Sequence, residues 1–435
     1  MSAVAPAVSR VSAPAAWASP RDASGCHRVP RAVAWPAAAS LVMLPMLRPS
    51  GPGNSSPVDV LIGLCIVMTA VWAVRSRPRL HLPYAVPVGI MFAAGAIAGL
   101  AGPFPGLTLL TLFQDLVLLS WAAALVAVAR APGAFRLLLR AWAAGATAWA
   151  ALLLITYPLG IHAVSGVNAT DGPRASLLAG DPNLLATYFV VSIMVTAAAG
   201  WPARRWLRGV LIAVQVGGLV LTFSNGGMLA LAVATGVALV IRGVRRMGPI
   251  PVAIPIAVAV LIAGAAIWAG LGISTVQDAA RDSGRPVLEN SLGRSDQSVW
   301  QRQTILQESI DLFHQRGWIG WGPEATKGEL LAQQAPYANE AHDDYFAALI
   351  ERGLLGAFGL LVLIAAISFR LRSLIRGRAR SAFNAVMPGT ASVVGAVLGM
   401  ATFATNESIL HLRQVWALFA IVAAWHLWAA ARRIP

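Results

Sequence analysis

The chain has 435 residues, of which 57% are hydrophobic and 12% charged, with a mean hydropathy of +0.68 and a formal net charge of +15. Soluble domains carry about 25% charged residues, so this composition excludes an ordinary soluble enzyme and makes the chain an integral membrane protein. Long all-apolar stretches with no polar alternation argue against an outer-membrane barrel.

In chain order, residues 1–31 come first, rich in Ala, Pro, Ser and Arg. They lack the apolar core of a secretory signal and read as a disordered cytoplasmic tail. A membrane span needs roughly 17–25 mostly apolar residues. Segments of about that size follow at 32–47, 57–74, 84–101, 106–129, 134–158, 183–200, 206–223, 226–243, 250–271, 345–370, 383–405 and 410–431. The first is short and broken by Pro36 and Pro45. The expectation is an all-α integral membrane protein of about twelve transmembrane helices by the span-length rule. A single multispanning domain covers 32–431, with one long extracytoplasmic loop at about 272–344 between helices nine and ten.

Orientation follows from the arginines, because positive residues stay on the cytoplasmic side. Arg10, Arg21, Arg28 and Arg31 precede the first segment, and Arg75, Arg77 and Arg79 follow the second. Further clusters lie at Arg130–Arg140, Arg204–Arg208, Arg242–Arg246, Arg370–Arg380 and Arg432–Arg433. These are every second connection, so both termini are expected in the cytoplasm. The basic excess is then a topology signal with attraction to anionic lipid, and no argument for nucleic acid. Cys26 lies in the tail and Cys65 in the second segment, leaving no plausible disulfide or thiolate metal pair; no metal or cofactor is expected.

Most connections on the other side are short. Three polar segments there carry chemistry. SGVNATDGPRASLLAGDPNLLATYF (165–189) is turn-rich and holds Arg174; Asp181 or Asn183 can cap the incoming helix, with Pro182 in its first turn. TFSNGGML (222–229) makes a turn at Ser224. The long loop holds GRSDQSVWQRQTILQESIDLF (293–313), whose apolar residues recur at helical spacing after a Ser295 cap. Arg294 and Arg302 fall within about 80° of each other on such a helix. HQRGWIGWGPEATKG follows, ending the helix at Gly317 and alternating Gly with Trp, a tight loop with aromatic faces. ANEAHDDYFAALIERGLLG (338–356) then places His342, Asp343 and Asp344 directly before an apolar run.

Taken alone, each residue has a structural role available. His342 is a polar residue at a helix start, Asp343 and Asp344 are first-turn charges favoured by the helix dipole, Asn183 is a cap, and Glu351 and Arg352 pair with lipid or loop. Arg316 is a further cation in the loop.

Together these segments resemble the bacterial O-antigen ligase and polymerase group. The resemblance rests on Arg174 followed by GDPN (180–183), the serine turn at 224–227, Arg302 before GWGPE (320–324), and AHDDY…ERGLLG, in that order around one long loop. It implies a membrane glycosyltransferase that moves a glycan from a polyprenyl-diphosphate donor to a glycan or lipid acceptor, on the outer side of the bacterial cytoplasmic membrane. His342 would be the base, Arg174, Arg302 and Arg294 the diphosphate ligands, and Asn183, Asp343 and Ser224 supporting residues. Two positions depart from the pattern: Asn225 stands where arginine is common, and Asp343 where asparagine is usual. The chemistry is coherent, since guanidinium groups match phosphate oxygens bidentately and can stabilise a diphosphate leaving group without a metal. An imidazole titrates near neutrality and suits a base. A polymerase of the same group is the alternative, and a lipid-linked-sugar flippase is another. Transporters place ionisable groups near mid-membrane, whereas the only clear candidates inside these segments are Asp115 and Gln215.

Overall fold

The computed structural model describes residues 29–429 apart from 52–54, 79, 169–171, 269–272, 291–292, 294–296, 336–342 and 378–380. Of the described residues 77% are helical, and none lies in a strand. The first helices are α1 (Arg31–Val42), α2 (Pro57–Ser76), α3 (Ala85–Ala101), α4 (Pro105–Val128), α5 (Pro132–Thr156) and a short α6 (His162–Ser165). Next come α7 (Pro182–Ala198), α8 (Arg205–Val220), α9 (Asn225–Met247) and α10 (Pro249–Trp268). The long loop is itself helical, with α11 (Ile273–Arg281), α12 (Pro286–Asn290), α13 (Gln297–Arg316) and α14 (Ala325–Ala332). The chain closes with α15 (Asp344–Arg376), α16 (Ser381–Val386), α17 (Thr390–Phe403) and α18 (Arg413–Ala424). A helix therefore lies within every one of the twelve apolar segments. Five of them, α2, α4, α5, α9 and α15, are long and apolar enough to cross a membrane, and α3, α7, α17 and the first part of α10 are shorter apolar helices. The tail lies almost wholly outside the described residues.

Helix starts follow their local sequence. Proline opens α2, α4, α5 and α7, where its fixed φ and missing N–H are no handicap. Ser56 and Asp59 form a reciprocal capping box on α2. Buried residues run round all faces of α7 and α17, as expected of helices at the centre of a bundle. α17 and α9 approach backbone to backbone, because a methyl added at Gly395 or Gly399 would collide with the carbonyl of Ala234 or Ala230. Small residues one turn apart let two membrane helices touch backbone to backbone. Gln215 on α8 donates to Thr147 (2.9 Å) and Thr196 (3.1 Å), so this polar group cross-links three helices inside the bundle.

Contacts between connections sort them onto two ends. At one end Arg413 forks Asp59 at 2.8 and 2.6 Å, Leu47 and Arg48 donate their amides to Leu178 (3.0 and 2.9 Å), and Ala175 donates to Leu221 (3.0 Å). At the opposite end Gly200 donates to Val386 (3.1 Å), Arg245 reaches the carbonyls of Leu374 and Ile375, and Arg130 sits 5.7 Å from the ring centre of Trp428. Arg174, Ser224 and Asp344 belong to the first end; the arginine-rich connections gather at the second.

The tenth apolar segment differs from its sequence reading. It is broken at Gly353, whose φ of 64° and ψ of −167° interrupt α15. The GWGPE turn fills the break: the amides of Trp321 and Gly322 donate to the carbonyls of Ile350 (3.0 Å) and Glu351 (2.9 Å), and Leu354 donates to Trp318 (3.3 Å). Backbone groups freed by a kink need new partners, and this turn supplies them.

Candidate functional site

The GDPN turn is the centre of the first end. Gly180 takes a left-handed φ of 79°, and Asp181 then caps α7, its carboxylate accepting from the amides of Asn183 (2.5 Å) and Leu184 (3.2 Å). Burial, with the neighbouring Glu407 carboxylate adding to it, holds the Asp181 carboxyl above the usual range.

Asn183 is a node. Its Oδ1 accepts from Arg174 Nη2 (2.6 Å) and Ser224 Oγ (3.0 Å), and its Nδ2 donates to Glu407 Oε2 (3.0 Å). Arg174 also donates through Nε to the Thr222 carbonyl (3.1 Å). Ser224 caps α9, accepting from the Gly227 amide at 3.2 Å. Three residues singled out in the sequence, Arg174, Asn183 and Ser224, therefore meet, and they do so through hydrogen bonds to one another. Asn225, where arginine would stand in the resembled pattern, is the exposed first residue of α9.

Glu407 was not foreseen. It lies in the connection between α17 and α18, where a single acid among TNESILHLR gives the only sequence signal. That connection joins the node to the start of α15, because Asp344 accepts from the amides of Ile409 (3.0 Å) and Leu410 (3.3 Å) and donates its own amide to Ala404 (3.1 Å). Asp343 caps α15, accepting from the amides of Tyr345 (2.7 Å) and Phe346 (3.0 Å). Burial raises its carboxyl above the usual range, against those two bonds. Asn183 and Asp344 thus touch points only two residues apart on one connection, within about 7 Å along an extended chain. His342 and Arg294 lie outside the described residues. Arg302 is on α13, which packs against α15.

Arg316, Arg352 and Glu351 are engaged elsewhere. Arg316 donates to the Ala101 carbonyl and lies 5.5 Å from the ring centre of Trp321, clamping the GWGPE turn to the α3–α4 connection. Arg352 pairs with Asp115 of α4 at 2.7 Å, and Glu351 accepts from the Glu324 amide (3.0 Å) and the Thr326 hydroxyl (2.9 Å). Both therefore bind protein groups. A cavity of about 80 Å³ lies beside them, lined by Asp115, Asp344, Glu351, Arg352, His411 and Trp416 among others. Among the described residues no three His, Cys, Asp or Glu side chains are grouped to hold a metal ion.

Residues 209–361 match a family model described as O-Antigen ligase. The chain carries an O-antigen ligase domain. Members of this family are O-antigen ligases and polymerases, transferase-type enzymes of cell-envelope polysaccharide synthesis at a membrane. The O-antigen ligase domain runs from α8 through α15, so it includes Ser224, Arg294, Arg302, His342 and Asp343. Arg174 and Asn183 precede it and Glu407 follows it; Arg174 donates to the Thr222 carbonyl and Asn183 accepts from Ser224, both inside the matched stretch, and Glu407 joins it through Asn183. No curated protein matches the chain.

Proposed function

We propose that the protein is a membrane glycosyltransferase of the ligase type, transferring a glycan from a polyprenyl-diphosphate donor to a glycan or lipid acceptor. The acceptor hydroxyl attacks the anomeric carbon of the donor sugar, and its proton passes to His342. The bond from that carbon to the phosphate oxygen breaks, and polyprenyl diphosphate leaves with the electron pair. Arg174, Arg302 and Arg294 supply positive charge to the diphosphate, whose charge grows as the bond breaks. Asn183, Ser224 and Asp343 hold the surrounding helix starts. In this reading twelve helices cross the bacterial cytoplasmic membrane, both termini are cytoplasmic, and residues 272–344 lie on the outer side with the site.

The observation that carries the reading is the meeting of Arg174, Asn183 and Ser224 at the end of the bundle where α15 begins, immediately after His342. A histidine removed from the base position costs on the order of 10²–10⁴ in rate. Purified His342→Ala should therefore lose transfer from a polyprenyl-diphosphate glycan while still binding that donor. Near wild-type transfer by this variant would refute the mechanism.

A further inference from the structure

The arginines nominated by sequence leave out Arg48, in the connection between α1 and α2. Its backbone is fixed by two features. The amides of Leu47 and Arg48 both donate to the Leu178 carbonyl (3.0 and 2.9 Å). Its guanidinium then lies over Gly180, so close that a methyl at Gly180 would collide with Nε, Cζ and Nη2. Gly180 opens the GDPN turn, whose Asn183 is bonded to Arg174. The two arginines therefore flank one four-residue turn, with anchoring points at most about 11 Å apart.

They differ in what they have left to offer. Arg174 spends Nε and Nη2 on Thr222 and Asn183. Arg48 is exposed and makes no side-chain hydrogen bond or ion pair to the described residues. Its planar donor fork is held against backbone, with no carboxylate taking it. A half-buried network fixes the shape of this face, while an open guanidinium beside it has the geometry for bidentate contact with phosphate oxygens.

We infer that Arg48 is a substrate-binding residue, contacting the diphosphate of the donor at the GDPN turn while Arg174 positions that turn. This rests on the donor class proposed above. The same fork also suits the phosphate of a membrane phospholipid, so the test separates the two. Farnesyl diphosphate binding is measured for wild type, Arg48→Ala and Arg48→Lys in phosphatidylcholine nanodiscs, with and without phosphatidylglycerol, alongside donor KM and kcat in glycan transfer. Arg48→Ala should weaken diphosphate binding on the order of tenfold or more in both lipid mixtures and raise donor KM more than it lowers kcat. Arg48→Lys should recover part of the loss. Equal affinity in all three proteins overturns the inference. So does a difference that appears only when phosphatidylglycerol is present, which makes Arg48 a headgroup contact. A wild type that binds the diphosphate in an Arg48-dependent way but transfers no glycan overturns the proposed reaction and leaves the site standing. A wild type that binds none overturns both.

Discussion

Removing the side chain of Asn183 tests the node most directly. Asn183→Ala deletes three hydrogen bonds: one from Arg174 (2.6 Å), one from Ser224 (3.0 Å) and one to Glu407 (3.0 Å). Two of these involve charged groups, each worth about 1.5–3 kcal/mol, and the third about 0.5–1.5. The three act as a unit on a half-buried residue, and water replaces part of what is lost, so the net cost is well below their sum, about 3 kcal/mol. If the node holds the site in its working shape, the same energy lost in the transition state lowers transfer by about a hundredfold. Thermal unfolding of the purified protein in nanodiscs, followed by tryptophan fluorescence, reads the stability, and glycan transfer reads the rate. Asn183→Asp is the informative companion. It keeps acceptors for Arg174 and Ser224, loses the donor to Glu407, and sets two carboxylates side by side. Its defect should be relieved by adding Glu407→Gln, which removes the repulsion, whereas Asn183→Ala should gain little from that second change. If both single variants unfold and transfer like wild type, the node carries neither stability nor function and the reasoning fails.

Two other outcomes are expected. Gly353→Ala should destabilise the fold by about 2–4 kcal/mol, because its φ and ψ are open to glycine alone and the added methyl would sit 2.5 Å from the Trp318 carbonyl; Gly63→Ala, with open space around it, should change stability by no more than about 1 kcal/mol, and equal melting of the two variants would refute the account of the kink. In intact cells, a cysteine at Gln334 in a background lacking the native cysteines should react with a membrane-impermeant maleimide and one at Gly377 should not, and the reverse pattern would overturn the proposed orientation.

The bundle was legible because lipid imposes a simple rule: a span satisfies its own backbone and is apolar over its length. Helices within the twelve apolar segments accord with that rule, and contacts such as Arg413–Asp59 and Gly200–Val386 gather their connections at two ends. Caps were legible in part: Asp181, Ser224 and Asp343 each act on amides two or three residues away, but the sequence offered Asn183 equally as the cap of α7, where it is instead the second residue of the helix, and read Ser224 as a turn and Asp343 as a first-turn charge. The other misses are long-range. Gly353 sits in an apolar run that looks continuous, and only a turn folded from more than thirty residues upstream shows that the helix breaks there. Glu407 and Arg48 lie in short connections with no pattern of their own. Their importance comes from Asn183 and Gly180, which are far away in sequence and adjacent in space.

That separation also decides what the functional unit is. The matched domain begins at residue 209 and ends at 361, yet its Ser224 turn is held by Asn183 from α7 and its second helix, α9, by the glycines of α17. The start of α15 is fixed by the connection ahead of α18. Each of these supports comes from outside the matched stretch. Cutting the chain at 209 and 361 would remove Arg174, Asn183 and Glu407 together and would expose the α9 face that now touches α17. Helices in a bilayer associate by such close packing and by interhelical hydrogen bonds, with no hydrophobic force between them to substitute. The site is therefore a property of the whole bundle. The proposed groups Arg294, Arg302 and His342 lie within 209–361, and elements outside that stretch hold the Ser224 turn, α9 and the start of α15.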